Sequence, residues 1–485
     1  MPSTLRYLDS DVVTVYEPGT GGKKQRLATL LWGDNVRVVG KSGAFWKLDF
    51  TTRRWDEQLG RYVWKKHDAF ISGKTKFRDA PLLKVRFVDV GQGDATIIES
   101  PKGQVVFIDG GEVDHIYNYV TASWAHVLRT KPLELAAIVV SHGDADHFAG
   151  LTRLVNGWGP KGKPPISTAR VFHSGLVKRP TGSANMLGKT RKVAGVTYAT
   201  ELEENLLAVA DAKMNGPFVA WKQALQKLKK ADGTLKTTRL AYGEDDAFDF
   251  LRDEDIDVQV LGPITERVNG KDALRYLKTP GRSSLSASHT INGHSIVLRL
   301  TFGNVRFLFG ADLNHESEQM LLARARDDGL SLASEVLKVP HHGSADFSAE
   351  MLDAVRPVVS VVSSGDESGS KEYIHPRAGL VGALGKYSRG TVEQPLIYVT
   401  EMVAFFRKHG LVSMQKYSTA RKLTGKAFDV RNAYEKTQFG IVHVRTDGER
   451  VLVATHSGRD DKKEAYAFTV DENGGVAFEN TPTML

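Results

Sequence analysis

Short apolar runs closed by polar or turn-forming residues recur along this chain. Leu135-Ala-Ala-Ile-Val-Val140 is partly β-branched and bounded by polar residues, the pattern of a buried strand. Runs of the same kind occupy 85–90, 95–99, 104–108, 295–300, 304–309, 335–339 and 358–362. The pair 295–300 and 304–309 reads as a hairpin ending in Gly310-Ala-Asp312. Leu and Ala recur at helical spacing in 201–211 and 220–230, and a further helix is expected from Phe148. Near the start, runs at 12–16, 26–31, 35–39 and 44–48 are separated by Gly- and Asp-containing turns, as in small barrels. Residues 73–79 read as a linker. Toward the other end, 440–445 and 450–454 flank Thr446-Asp-Gly-Glu449, a hairpin signature, and 465–469 with 475–479 suggest one more hairpin.

Metal-capable side chains stand just after these strands. His142, Asp144, Asp146 and His147 fall within Ser-His-Gly-Asp-Ala-Asp-His-Phe-Ala-Gly at 141–150, directly behind the run 135–140. Ligand sites in α/β folds tend to lie at the carboxyl edge of the strands. Imidazole and carboxylate suit zinc or another divalent ion. Of the 15 histidines, His142, His147, His294, His341, His342 and His375 lie in or beside such segments.

Seven stretches, in order, resemble the metallo-β-lactamase hydrolase superfamily, and within it the soluble hydrolase domain of ComEC-type competence proteins. They are Phe87-Val-Asp-Val-Gly-Gln-Gly-Asp94, Ile108-Asp-Gly-Gly111, His142-Gly-Asp-Ala-Asp-His147, Asn292-Gly-His-Ser295, Phe309-Gly-Ala-Asp-Leu313, Leu337-Lys-Val-Pro-His-His-Gly-Ser344 and Tyr373-Ile-His-Pro376. The resemblance covers roughly residues 84–400 and returns near 438–456. It implies an α/β (α+β) chain with an αββα sandwich and a two-metal site at one edge. Trp32-Gly-Asp34, Trp46 and Gly60-Arg-Tyr-Val-Trp64 resemble a bacterial SH3-like domain. The expected organisation is an SH3-like barrel at 1–75, a hydrolase domain at 84–456 with basic inserts at 157–245 and 401–436, and a hairpin extension at 457–485. The chain lacks the membrane channel of a full competence protein, so a role in DNA uptake is not inherited.

Carried over residue by residue, the resemblance implies that His142 and Asp144 hold one metal ion and Asp146 and His147 a second. Asp312 would bridge the two, and His341 or His342 would complete the second site. His294 lies about where the superfamily often carries another histidine ligand. Asp109 is expected to orient the metal loop by hydrogen bonding, with Asp94, Asn292 and Ser295 as further supports. Asp146, His375 and Lys338 are the catalytic candidates, the last two for substrate contact or leaving-group protonation. Most of the superfamily carries histidine at the position of Asp144. A carboxylate there hardens the site and shifts preference toward manganese or magnesium, with zinc still admissible.

The 485 residues carry a net charge of +8 and no cysteine, which excludes disulfides and thiolate ligands. No run approaches the roughly 18 apolar residues of a membrane span, and no leader-like apolar stretch opens the chain. A cytoplasmic protein is expected. Residues 161–240 hold 15 Lys/Arg against 5 Asp/Glu. A basic surface beside a hydrolase site points to a polyanion, and Lys189, Arg191 and Lys192 form the candidate nucleic-acid contact. The leading expectation is a metal-dependent phosphodiesterase or nuclease acting on DNA. Hydrolysis of a small ester, lactone or cyclic nucleotide is the enzymatic alternative. A module that binds a protein partner through its SH3-like domain and keeps a structural metal is the alternative of another class. The tryptophans Trp46, Trp55 and Trp64 offer either a ligand-stacking surface or core packing.

Overall fold

The computed structural model describes residues 3–56, 61–183, 185–233, 235–279, 281, 283–365, 375–389, 395–401, 440–456 and 465–479. Among these, two large sheets pack face to face. The ten-stranded sheet runs in the order Lys236–Arg239, Arg170–His173, Ala137–Val140, Val105–Asp109, Ala95–Glu99, Leu83–Phe87, Ile441–Thr446, Arg450–His456, Ala465–Val470 and Val476–Phe478. The six-stranded sheet runs Ile256–Gly262, Val297–Phe302, Val305–Phe309, Val336–Lys338, Val359–Val362 and Leu396–Val399.

Alternation along the strands decides which side chains meet. Leu83, Val85 and Phe87 point inward with Ile98, Val106 and Ile108, and meet Val260, Leu298, Phe307, Phe309 and Val361 of the opposite sheet. Lys84 and Arg86 point the other way and pair with Glu99 at 3.1 and 2.6 Å. On the outer face Ile97, Phe107, Ile138 and Val140 receive Phe148, Leu151 and Leu154 of the helix Ala145–Asn156 and Phe218, Trp221 and Leu225 of the helix Gly216–Asp232. The outer face of the second sheet is covered by the helices His315–Asp327, Ala349–Val355 and Ala378–Tyr387. The layers are therefore helix, sheet, sheet, helix. Each large side chain buried in this way contributes roughly 1.5–3 kcal/mol.

Val105–Asp109, Ala137–Val140 and Arg170–His173 run parallel, so the residues that follow each of them emerge at one edge. Val305–Phe309, Val336–Lys338 and Val359–Val362 do the same in the second sheet.

Several elements differ from expectation. The helix expected from Phe148 begins at Ala145, with Asp144 at its N-cap position, so Asp146 and His147 stand in its first turn. Residues 201–211 form no α-helix. Leu206–Ala208 and Asp211–Lys213 are single turns; Asn205 caps the first through Leu207 N–H, and Leu206 of that turn and Val209 of the extended chain after it are drawn into the core. The basic span 157–245 is not simply an insert, since Arg170–His173 and Lys236–Arg239 complete the ten-stranded sheet. Of the stretch 401–436, all but Glu401 lies outside the described residues, as does Tyr373. No described helix is long and apolar enough to cross a membrane.

The N-terminal region is all β, with seven strands in one antiparallel sheet around Leu8, Val13, Val15, Val36, Leu48 and Ile71. The expected linker supplies one of them, Phe77–Arg78, which pairs with Thr4–Leu8. This unit sits on the final hairpins of the large sheet. Leu31 and Trp32 pack on Leu452, Ala454, Ala465 and Ala467. Arg445 donates to the Trp32 carbonyl and pairs with Asp34 at 2.9 Å. Trp46 packs edge-on against Phe77, and Trp64 lies under Arg129 of the two-sheet body. Both rings are therefore engaged within the chain. The Trp55 side chain lies outside the described residues.

Candidate metal centre

Loops from both sheets meet at the shared edge. From the first sheet come the turn 91–94, the loop 109–111 and the stretch 141–147. From the second come Asp312 and the turn Pro340–Gly343. Close backbone contact locks them together. Gly110 N–H donates to His147 O at 2.8 Å, Gly111 N–H to Asp94 O at 2.8 Å, and Gly150 N–H to Gly111 O at 2.7 Å. A Cβ at Gly93 would lie 2.1 Å from Asp146 O, and one at Gly150 2.0 Å from Gly110 O. Only glycine fits there, which is why the turns of both motifs are glycine-rich.

The side chains converge in overlapping groups. His142, His147 and Asp312 form one, Asp146, His147 and His342 a second, and Asp94, Asp312 and His342 a third. Nε2 of His147 lies 3.4 Å from Asp312 Oδ2, that of His342 3.3 Å, and that of His142 3.7 Å. His342 Nε2 is also 3.6 Å from Asp146 Oδ2. These three Nε2 atoms and Asp312 Oδ1 are buried with no hydrogen-bond partner among the described residues. Burying such atoms unpaired is costly, and a cation at their centre removes the cost. The donor set thus fits a divalent ion bound by imidazole and carboxylate.

Each histidine is aimed from behind. Asp109 accepts Nδ1–H of His147 at 2.8 Å and is itself held by Ser141 N–H and Oγ–H at 2.8 and 2.6 Å. His342 donates Nδ1–H to the Ser363 carbonyl at 3.0 Å. Ser295 Oγ donates to Asn292 O at 2.7 Å and accepts from Asp312 N–H at 3.4 Å, bracing the backbone under that carboxylate. Burial opposes charge on Asp312, but His342, His147 and His142 outweigh it and hold the carboxyl well below the usual range. Burial likewise opposes charge on His147, and Asp312 and Asp109 pull its pKa well above the ordinary imidazole value.

Other expected residues take different places. His341 is not one of the converging donors; its Nε2–H donates to the Asn292 amide oxygen at 3.2 Å. His294 turns away from the centre. It caps the C-terminal end of the helix Ala287–Gly293, where two positions of helical rotation separate it from Asn292. Its Nε2–H donates to the Arg275 carbonyl at 2.7 Å, and burial lowers its pKa to about 4. Lys338 neither faces solvent nor lines the cavity. Its ammonium is buried on Asp94 and the Ala311 carbonyl, beneath the ligand loops. His375 stands at the cavity wall, where burial and the neighbouring His342 and His341 lower its pKa to about 4. Lys189, Arg191 and Lys192 are exposed at or beside the strand Thr190–Val193. Arg191 reaches the Asn269 amide oxygen.

The cavity over the cluster has a volume of about 250 Å³ and is lined by Gln92, Glu112, Asp144, Asp146, Ser288, Asn292 and Asp312 with His341, His342 and His375. A larger cleft of about 1030 Å³ lies between the N-terminal unit and the two-sheet body, but among the described residues it holds no converging metal donors. Donor chemistry, not size, marks the site. Residues 88–204 match the metallo-beta-lactamase superfamily. That stretch is a metallo-beta-lactamase superfamily domain. No curated protein matches the chain. The superfamily match ends before Asp312 and His342, which the second sheet brings to the same point.

Two residues at this centre escape a sequence reading. Ser363 directly follows the strand Val359–Val362 and acts through its carbonyl, which any residue has. Lys178 pairs with Asp144. It follows Arg170–His173, the parallel neighbour of Ala137–Val140, so strand adjacency was the one available signal.

Proposed function

We propose that this chain is a metal-dependent phosphodiesterase acting on a nucleic acid, most plainly DNA. The convergence of His147, His342, Asp146 and Asp312, with unpaired donor atoms, on an open cavity carries the reading. Those four residues would hold a divalent ion, with His142 converging on the same Asp312 oxygen. Mixed nitrogen and carboxylate donors suit manganese or zinc, and the number of carboxylates also admits magnesium. Such an ion makes water acidic enough to supply hydroxide near neutral pH and offers positive charge to a phosphoryl oxygen.

The protein residues do the positioning. Asp109 and the Ser363 carbonyl keep His147 and His342 presenting Nε2. The Asp94–Lys338 pair supports the floor from below and fixes the loop that carries Ala311 and Asp312. His375 is neutral at physiological pH, so it serves substrate as a hydrogen-bonding group in the wall. The carboxylates of Glu112, Asp146 and Asp312 would make the cavity repel an anionic substrate until a cation fills it. The chain's net charge of +8 and the exposed Lys189, Arg191 and Lys192 favour a polyanion outside it.

A small ester, lactone or cyclic nucleotide is the second reading, favoured by the cavity volume of about 250 Å³. Purified protein supplied with manganese, magnesium or zinc is to be tested against linear, circular and single-stranded DNA, RNA, and a chromogenic phosphodiester. Cleavage of DNA with salt-dependent binding supports the nuclease. Turnover of the chromogenic ester alone moves the assignment to a small substrate. No turnover with any metal, and no divalent ion bound, overturns the hydrolase.

A further inference from the structure

Asp144 differs from the donors around it. The ammonium of Lys178 forms an ion pair with its Oδ1. The Asn292 amide donates to its Oδ2 at 3.2 Å and to Ser288 O at 3.0 Å. Asp144 thus faces a protein cation and an amide donor, whereas the Nε2 atoms of His142, His147 and His342 face the Asp312 carboxylate. Asp144 also belongs to none of the converging groups among the described residues.

Lys178 is held in place by its surroundings. The Lys178 carbonyl accepts Asn215 N–H at 2.9 Å, and the adjacent Arg179 pairs with Glu201 and Glu203 at 3.1 and 3.2 Å. The loop can lie against the metal loop because residue 143 is glycine. A Cβ there would come within 3.0 Å of the Phe218 ring and 3.3 Å of Leu176 O. The Lys178 side chain is 23% exposed and that of Asp144 19%, so the pair is largely withdrawn from water.

We infer that Lys178 takes the place of a second divalent cation. Its ammonium neutralises Asp144, and the protein at rest holds one ion tightly, on Asp146, His147, Asp312 and His342. An ion can use Asp144 only by displacing the ammonium. This inference rests on the metal-dependent reading above, but it concerns the number of ions and not the substrate. Removing Lys178 would leave a buried carboxylate uncompensated, a strong lure for a cation.

The test is metal binding by the full chain, followed by native mass spectrometry and calorimetry with manganese and then zinc. The parent should take one tight ion. Lys178→Met should take two, with the affinity for the second raised at least tenfold, while Lys178→Arg should stay at one. Asp144→Asn should keep the single ion with affinity within about threefold of the parent, and this variant decides the matter even if Lys178→Met fails to fold. Two equally tight ions in the parent would overturn the inference while leaving the hydrolase reading intact. So would a single ion in a folded Lys178→Met, or loss of the tight ion in Asp144→Asn. A parent that binds no divalent ion overturns both.

Discussion

Asp109 accepts the Nδ1 proton of His147 across 2.8 Å, and that one bond decides which nitrogen of the ring faces the centre. Asp109 holds a backbone φ of 60°, in the left-handed region that few non-glycine residues adopt, so the chain accepts local strain to place this carboxylate. Asp109→Ala should lower metal affinity about 10- to 100-fold. Calorimetry with manganese measures this, and an unchanged affinity would remove Asp109 from the support of the site.

The two adjacent histidines should behave differently. His342→Ala removes a converging donor and should cost the tight ion and hydrolysis together. His341→Ala removes a partner of Asn292 and should leave the ion bound. Metal content of the two purified variants, set beside their circular dichroism, makes the comparison. Equal loss in both would contradict the geometry.

Glu318 offers a pH dependence away from the metal. Burial raises its carboxyl from 4.5 to about 8, while its Oε2 accepts the Ser348 N–H. Between those two values the folded chain holds a proton that the unfolded chain has released. Stability is therefore greatest below the unfolded value and declines as pH rises through the folded one, by at most about 1.4 kcal/mol per pH unit. Glu318→Gln keeps an acceptor for Ser348 and cannot ionise. Urea melts should show it more stable than the parent above about pH 8 and little different near pH 5. Parallel stability curves would show that Glu318 stays ionised in the fold.

The exposed basic strand tests the polyanion. Neutralising Lys189, Arg191 and Lys192 together should weaken DNA binding without regard to sequence. The slope of log K against log salt should fall by about 0.7–0.9 for each phosphate left without its cation. Turnover of a small chromogenic phosphodiester should stay nearly unchanged. Equal slopes in parent and variant would take this strand off the substrate path.

The strands were legible because short apolar runs closed by turns survive in them, and their arrangement in two sheets was legible through the family resemblance of the motifs. Val85 and Phe87 of the run 85–90 do point into the core, although the strand itself spans Leu83–Phe87. His142, Asp146 and His147 were legible as a group because a strand end and the first turn of a helix compress them into six positions. Residues 201–211 misled because burial of Leu206 by a single turn and of Val209 by the extended chain after it leaves apolar positions at spacings that also suit a helix. His294 misled because a motif position does not say which way a helix end turns. Lys178 was silent because its partner lies on a different loop, and only the pairing of parallel strands brings the two together.

Arg445 and Trp32 are 413 positions apart and in contact. The strand Leu83–Phe87 likewise waits for Ile441–Thr446 to cover its free edge. On the ribosome, then, the first unit emerges long before its seat exists, with Leu31 and Trp32 uncovered and a sheet edge open to wrong partners. Final docking is an event of the completed chain, and a nascent chain stalled before residue 441 would present a sticky surface that the finished protein conceals.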